Sequence, residues 1–197
     1  VVAAPEPLST PTWMLDAPGG GHYVVSSRTT GGDAYQNVLV YRYNADGSID
    51  TSYGTDGAAY FAGTVPNAVK VLASGELIIA GRAVSDSSLV VTRLATDGSV
   101  VSGFPITVIQ ASSSFGPVDI EIDGSDRIYV TATLTPISGD TSTVVFRFTA
   151  DGTADGVFNV GASIPGSEQA LDSVIQPDGK VVTLAAQGRD LIVYRHN

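Results

Sequence analysis

A motif of apolar residues closed by an arginine recurs four times, and no other feature restricts the fold as much. Val38-Leu-Val-Tyr-Arg42 matches Leu89-Val-Val-Thr-Arg93, Thr143-Val-Val-Phe-Arg147 and Leu191-Ile-Val-Tyr-Arg195, at a period of roughly 50 residues. Asp-Gly follows the first three at one fixed offset, as Asp46-Gly47, Asp97-Gly98 and Asp151-Gly152. A second landmark, a turn and then a strand, precedes each arginine: Gly21-His-Tyr-Val-Val, Gly75-Glu-Leu-Ile-Ile, Asp126-Arg-Ile-Tyr-Val and Gly179-Lys-Val-Val-Thr. Two independent landmarks on one period make the chain an array of a single supersecondary unit.

Each unit reads as four strands. A short first strand, as in Ala68–Leu72, Val118–Ile122 and Leu171–Ile175, turns tightly into a second, as in Leu77–Ala80, Ile128–Thr131 and Val181–Leu184. The arginine strand is the third. Asp-Gly then makes a hairpin, because glycine takes positive φ without steric cost. A fourth strand follows, as in Ala58–Ala62, Ile106–Ile109 and Val157–Val160. No helical periodicity competes.

The third strands are apolar on both faces, with Leu39, Tyr41 and Tyr43 on one side and Val38 and Val40 on the other. A strand buried on both sides belongs to a sheet stacked between other sheets, which is what the blades of a propeller provide. The expected fold is therefore all-β and β-propeller-like, with four four-stranded antiparallel blades in a single domain over residues 1–197. The units fall at about 12–62, 66–110, 117–161, and 170–197 plus 1–4. The last pairing is inferred from spacing: Val1–Ala4 lies as far ahead of the Trp13 strand as other final strands lie ahead of the next unit. Pairing it with the last blade closes the ring and removes open sheet edges. An eight-bladed ring of two chains, or further blades, are the alternatives.

A net charge of −10, with lysine only at positions 70 and 180, argues against nucleic-acid and anionic-lipid partners, which require a basic footprint. There are no cysteines, which removes thiolate chemistry and cysteine-based metal sites. No stretch approaches the ~18–20 apolar residues of a membrane-spanning helix. The opening Val1-Val-Ala-Ala-Pro-Glu-Pro, low lysine and acidity suit a secreted or cell-surface location.

Most polar residues that first suggest a site are explained by the repeat. Arg42, Arg93, Arg147 and Arg195 share one strand position; they are read as structural, each bridging blades through carbonyls or a carboxylate such as Asp50. Asp46, Gly47, Asp97, Gly98, Asp151 and Gly152 are read as turn formers. Asn44, Asp46, Ser48 and Asp50 alternate like calcium-loop ligands, yet they lack the acid at the first position and the distal Glu. No cofactor is expected, with calcium the alternative.

Asp119, Glu121 and Asp123 alternate along one innermost strand and share a face. They are the candidate cation site; mutual repulsion is expected to raise at least one pKa. Lys70, on the equivalent strand of the neighbouring unit, is expected to neutralise them. Tyr35, beside Asp33, is the candidate exposed aromatic for binding. The loops 27–36, 83–88 and 134–142 join second to third strands and are expected to cluster on one rim, where binding usually resides. Neither His22 nor His196 is placed for a catalytic triad.

The stretch Val40-Tyr-Arg-Tyr-Asn-Ala-Asp-Gly-Ser-Ile-Asp-Thr-Ser-Tyr-Gly54 resembles the delta-60 repeat of bacterial β-propeller proteins, as does Gln176-Pro-Asp-Gly-Lys-Val-Val182. Units two and three keep the Arg and the Asp-Gly but lose Asp-Thr-Ser-Tyr-Gly. The resemblance implies a propeller, often in secreted or surface proteins, and implies no catalytic residue. The functional expectation is a non-enzymatic extracellular module that binds another protein, as an interaction partner or a subunit of a larger assembly. A carbohydrate-binding propeller is the alternative, and a metal-dependent hydrolase or lyase using Asp119–Asp123 the third reading.

Overall fold

In the computed structural model of the chain, the described residues are 10–29, 36–108, 113–155, 162–164 and 169–196. They form fifteen strands in four antiparallel sheets, each built from consecutive strands. Blade 1 comprises β1 (Thr10–Ala17), β2 (Gly21–Thr29), β3 (Gln36–Tyr43) and β4 (Ala58–Ala62). Blade 2 comprises β5 (Thr64–Val71), β6 (Leu77–Ala83), β7 (Leu89–Leu94) and β8 (Ile106–Val108). Blade 3 comprises β9 (Ser113–Ile122), β10 (Ile128–Pro136), β11 (Ser142–Phe148) and β12 (Ala162–Ile164). Blade 4 comprises β13 (Gln169–Ile175), β14 (Val181–Gln187) and β15 (Asp190–Arg195).

The architecture is propeller-like, and it departs from the expected four-by-four ring in two respects: the fourth sheet is one strand short, and among the described residues blade 4 makes no substantial contact with blade 1 that would close a ring. Among the described residues the fourth sheet has three strands, and β15 is its outer edge. The strand expected to complete it, Val1–Ala4, lies outside the described residues. Blade contacts run in chain order, through β3 and β5, β5 and β9, and β9 and β13.

Turn chemistry explains why the strands end where they do. In the first three blades the Asp-Gly turn is an Asx turn: the amides of Ser48, Ser99 and Thr153 donate to Asp46, Asp97 and Asp151 at 2.9, 2.9 and 3.1 Å. Hydrogen bonds from the hydroxyls of Ser48, Ser99 and Thr149, and next these amide bonds, hold the three carboxyls below their ordinary range. The other hairpin closes in every blade with one backbone bond, from the amides of Gly20, Gly75, Asp126 and Gly179 to the carbonyls of Ala17, Leu72, Asp123 and Gln176, and Asp126 (φ 58°) occupies the left-handed position that glycine fills elsewhere.

The innermost strand of every blade carries a one-residue register shift, at Pro11/Trp13, Pro66/Ala68, opposite Thr131/Ala132, and at Ala170/Asp172. The shift lets the inner strand run longer than its alternating pattern suggests, so β5 begins at Thr64 and β9 at Ser113. The core lies between blades. Tyr23, Val25, Val38 and Val40 of blade 1 pack on Leu77, Ile79 and Leu94 of blade 2. Ile78, Ala80 and Val91 of blade 2 pack on Val130, Val144 and Phe146 of blade 3. The contact of blade 3 with blade 4 is smaller, around Tyr129, Val145 and Val181. Third-strand residues Leu39 and Tyr41 are buried as well, in keeping with an arginine strand that hides both faces.

Candidate functional site

Antiparallel alternation sorts the connections to two ends. The short hairpins and Asp-Gly turns lie at one end; the loops between second and third strands, and the links between blades, lie at the other. The four arginines sit near the turn end. Arg42 donates to the carbonyl of Thr96 at 3.1 Å and lies 3.5 Å from Asp50. Arg93 binds Glu76 and donates to the carbonyl of Ala150. Arg147 meets Asp155 at 2.9 Å, and Arg195 meets Asp178 and Gln176. Thr96 and Ala150 both stand immediately before an Asp-Gly pair, so two arginines reach the same carbonyl of the next blade. Arg42 and Arg147 also lie over Tyr23 and Tyr129, each 5.7 Å from the ring centre.

Asp119 and Glu121 lie on β9, Asp123 in the turn just after it, and the three carboxylates share no partner. Asp119 accepts from the amide and hydroxyl of Ser173 in blade 4, at 3.2 and 2.6 Å. Glu121 pairs with Lys70 of blade 2 at 3.2 Å. Asp123 pairs with Arg127 at 2.6 Å and accepts from Tyr129 at 3.1 Å. The expected upward pKa shift does not occur at Asp123. Burial pushes its carboxyl up, but hydrogen bonds from Ser125 and Arg127 outweigh burial and bring it below the ordinary range. Among the described residues no group of three or more His, Cys, Asp or Glu is arranged to hold a metal ion. His22 lies 3.1 Å from Asp16, and His196 lies 3.0 Å from Thr183, with its pKa lowered by burial. Tyr35 and Asp33 lie outside the described residues.

A cleft of about 460 Å³ opens at the loop end, where inner strands of three blades meet. Blade 2 contributes Asn67 and Arg82, blade 3 contributes Ser114, Thr133 and Thr135, and blade 4 contributes Gln169. Phe115, buried against Phe146, lies among the lining residues. Asn67 is the residue displaced by the β5 register shift, and Val118 by that of β9. The shifts therefore re-aim lining residues into the cleft. Gly116 leaves room: a Cβ there would meet nothing within 4 Å. Arg82 contacts the hydroxyl of Ser87 at 3.4 Å, and the Thr133 hydroxyl accepts from the Ala170 amide at 2.9 Å. Sequence reasoning missed these residues individually, although Arg82 stands just before one of the three rim loops it singled out, 83–88, and Thr135 lies within another, 134–142. A second, larger cleft of about 720 Å³ lies between the turns of blades 1 and 2. Its polar groups are engaged with one another: Asp97 accepts from Ser99, and Gly54 donates to the Asp97 carbonyl at 2.7 Å.

Known proteins bear on this geometry at the level of fold. The sequence matches the family described as "Domain of unknown function (DUF5122) beta-propeller" over residues 21–53 and 124–158. No curated protein matches it. A hypothetical protein from Leishmania major is similar in structure at TM-score 0.52 and 13% identity, over 92% of this chain and 64% of that one. An exo-β-1,3-galactanase from Phanerochaete chrysosporium, solved with β-1,3-galactotriose, is similar at TM-score 0.51 and 10% identity, over 93% of this chain and 45% of that one. This chain thus spans less than two thirds of either protein. One expectation is corrected here. The fold shared with a galactanase is one on which catalysis is built, so the reading of this chain as a non-enzyme does not stand. What the chain is shown to be is an all-β array of four antiparallel sheets that matches a β-propeller family in two of its repeats.

Proposed function

We propose that this propeller binds a carbohydrate in the cleft at its loop end. One observation carries the reading: amide, hydroxyl and guanidinium groups from three blades converge on one open cleft. Sugars present alternating donors and acceptors, and side chains of this kind, fixed on a rigid scaffold, satisfy them. The likeness of fold to a galactanase solved with its oligosaccharide supports a carbohydrate ligand over the assembly-module reading, at the level of fold analogy. The repeat is taken to be of the delta-60 kind on the residues of units one and four. A secreted or surface location, expected from composition, suits a glycan ligand.

The test is a glycan array followed by calorimetry on the glycans retained. Arg82→Ala and Gln169→Ala should each weaken binding about tenfold, the cost of one lost polar contact of ~1.4 kcal/mol. Ser125→Ala, at the opposite end, should leave affinity unchanged. Chromatography of the same samples reports whether bound glycans are also cleaved. Retention of no glycan, or affinity indifferent to both cleft variants, would sink the proposal.

A further inference from the structure

Arg82 is the one charged side chain among the described residues that line the cleft at the loop end; the rest are amide, hydroxyl, glycine and apolar. Arginines elsewhere are matched with acids: Arg42 with Asp50, Arg93 with Glu76, Arg127 with Asp123, Arg147 with Asp155 and Arg195 with Asp178. Arg82 pairs with no carboxylate among the described residues. Its bond there is to the Ser87 hydroxyl at 3.4 Å, which leaves most of the five guanidinium donors unused. Arg189 also lacks a carboxylate, but it lies in an exposed turn and lines neither cleft.

The acids near this end are committed elsewhere. Asp86, in the loop that follows Arg82, accepts from the Ser88 amide at 3.0 Å. On β9, Glu121 is taken by Lys70 and Asp119 by Ser173. The net charge of −10 repels anions at long range. That field is screened beyond about 8 Å at physiological ionic strength, so the charge within reach of a ligand decides what the cleft holds. Within the cleft that charge is positive. A guanidinium fork matches a carboxylate or sulfate with two parallel bonds, and charge-assisted bonds are roughly twice as strong as those to a neutral hydroxyl.

We propose that the cleft takes an acidic glycan, with Arg82 holding a carboxylate or sulfate group on the sugar while Asn67, Thr135 and Gln169 meet its hydroxyls. The inference rests on the reading of the cleft as a carbohydrate site and names the class of sugar. Its chemistry requires a cation that the protein has not already neutralised, and Arg82 supplies it.

An array carrying neutral, uronate-bearing and sulfated glycans side by side tests this, followed by calorimetry on each acidic glycan retained and on its methyl-esterified or desulfated form. One of the two acidic sets should be retained in preference to the neutral set, and which one identifies the anion. Removing the anion should weaken binding to the wild type about tenfold. Arg82→Gln should cost as much with the acidic form and abolish the difference between the two forms, as a coupled pair requires. Arg82→Lys should recover part of that difference, since it restores charge without the fork. Arg195→Gln removes the same charge at the opposite end and should change nothing. Retention of neutral glycans alone, or equal affinity of the wild type for the charged and uncharged forms, overturns the inference and leaves the carbohydrate reading standing. A preference for the acidic form that survives Arg82→Gln overturns it too, by placing the anion elsewhere. Retention of no glycan removes both readings together.

Discussion

Arg93 holds Glu76 with two parallel bonds, Nε to Oε1 at 3.2 Å and Nη2 to Oε2 at 2.8 Å, while its Nη1 donates to the carbonyl of Ala150 in the next blade at 2.7 Å. The pair is largely buried, with side chains 12% and 20% exposed. Lysine keeps the charge but cannot make the fork or reach both partners. Arg93→Lys should therefore cost about 2 kcal/mol, the scale of a lost hydrogen bond to a charged group. Arg195→Lys, in a pair nearly half exposed, should cost less than about 1 kcal/mol. Urea unfolding of the two variants measures the difference, and equal costs would remove any special role for the blade-bridging arginine.

The same pair sets a pH dependence. Hydrogen bonds from Arg93 hold the Glu76 carboxyl below its ordinary range, despite partial burial. A carboxyl whose pKa is depressed by folding adds stability that is complete above its unfolded value and lost as pH falls through its folded value. Unfolding free energy should thus fall on acidification below the usual glutamate range. Glu76→Gln should flatten that slope while lowering stability at neutral pH. Unfolding midpoints from neutral to acid pH decide it, and an unchanged slope in the variant would contradict the assignment.

Two turn glycines at the same repeat position should respond differently to alanine. At Gly47 (φ +82°) an added Cβ would meet nothing within 4 Å, so Gly47→Ala carries only the left-handed backbone penalty, about 1–2 kcal/mol. Gly98 (φ +86°) would place its Cβ 3.0 Å from the Gly54 amide and 3.1 Å from the Tyr53 ring of blade 1. Gly98→Ala should cost clearly more, because blade 1 must also shift. Thermal unfolding of both variants compares them.

Blade 4 should be the first part to open. Its buried contact with blade 3 rests on few apolar residues, and Asp119 to Ser173 is a polar tie across it. Amide exchange in β13 to β15 should outpace that in β6 and β10, reflecting low local stability. Asp119→Ala should accelerate exchange in blade 4 and leave blades 1 and 2 unchanged. Uniform exchange over the four blades would show instead a single cooperative unit.

The repeat made the blades legible because strand alternation, turn residues and the arginine position are local properties. Val38 and Val40, read as one buried face, are both at 0% exposure. The carboxylates on and just after β9 were the opposite case. Alternation suggested Asp119, Glu121 and Asp123 on one strand, but β9 ends at Ile122 and Asp123 belongs to the turn, and each one's partner comes from a different place: blade 4, blade 2, and that turn. No spacing along one strand carries that information. The cleft residues escaped notice for a related reason. Asn67 and Gln169 belong to no motif in the sequence, and a one-residue register shift in the inner strand is needed before Asn67 can face the cleft.

The sequence by itself determined the period, the order of strands within each blade and the turns between them, because these depend on side-chain alternation and backbone freedom within a few residues. Only the tertiary structure decided which charges meet and where the cleft opens. Those outcomes depend on how blades stack, and stacking brings together residues some 50 positions apart, as Lys70 and Glu121 are.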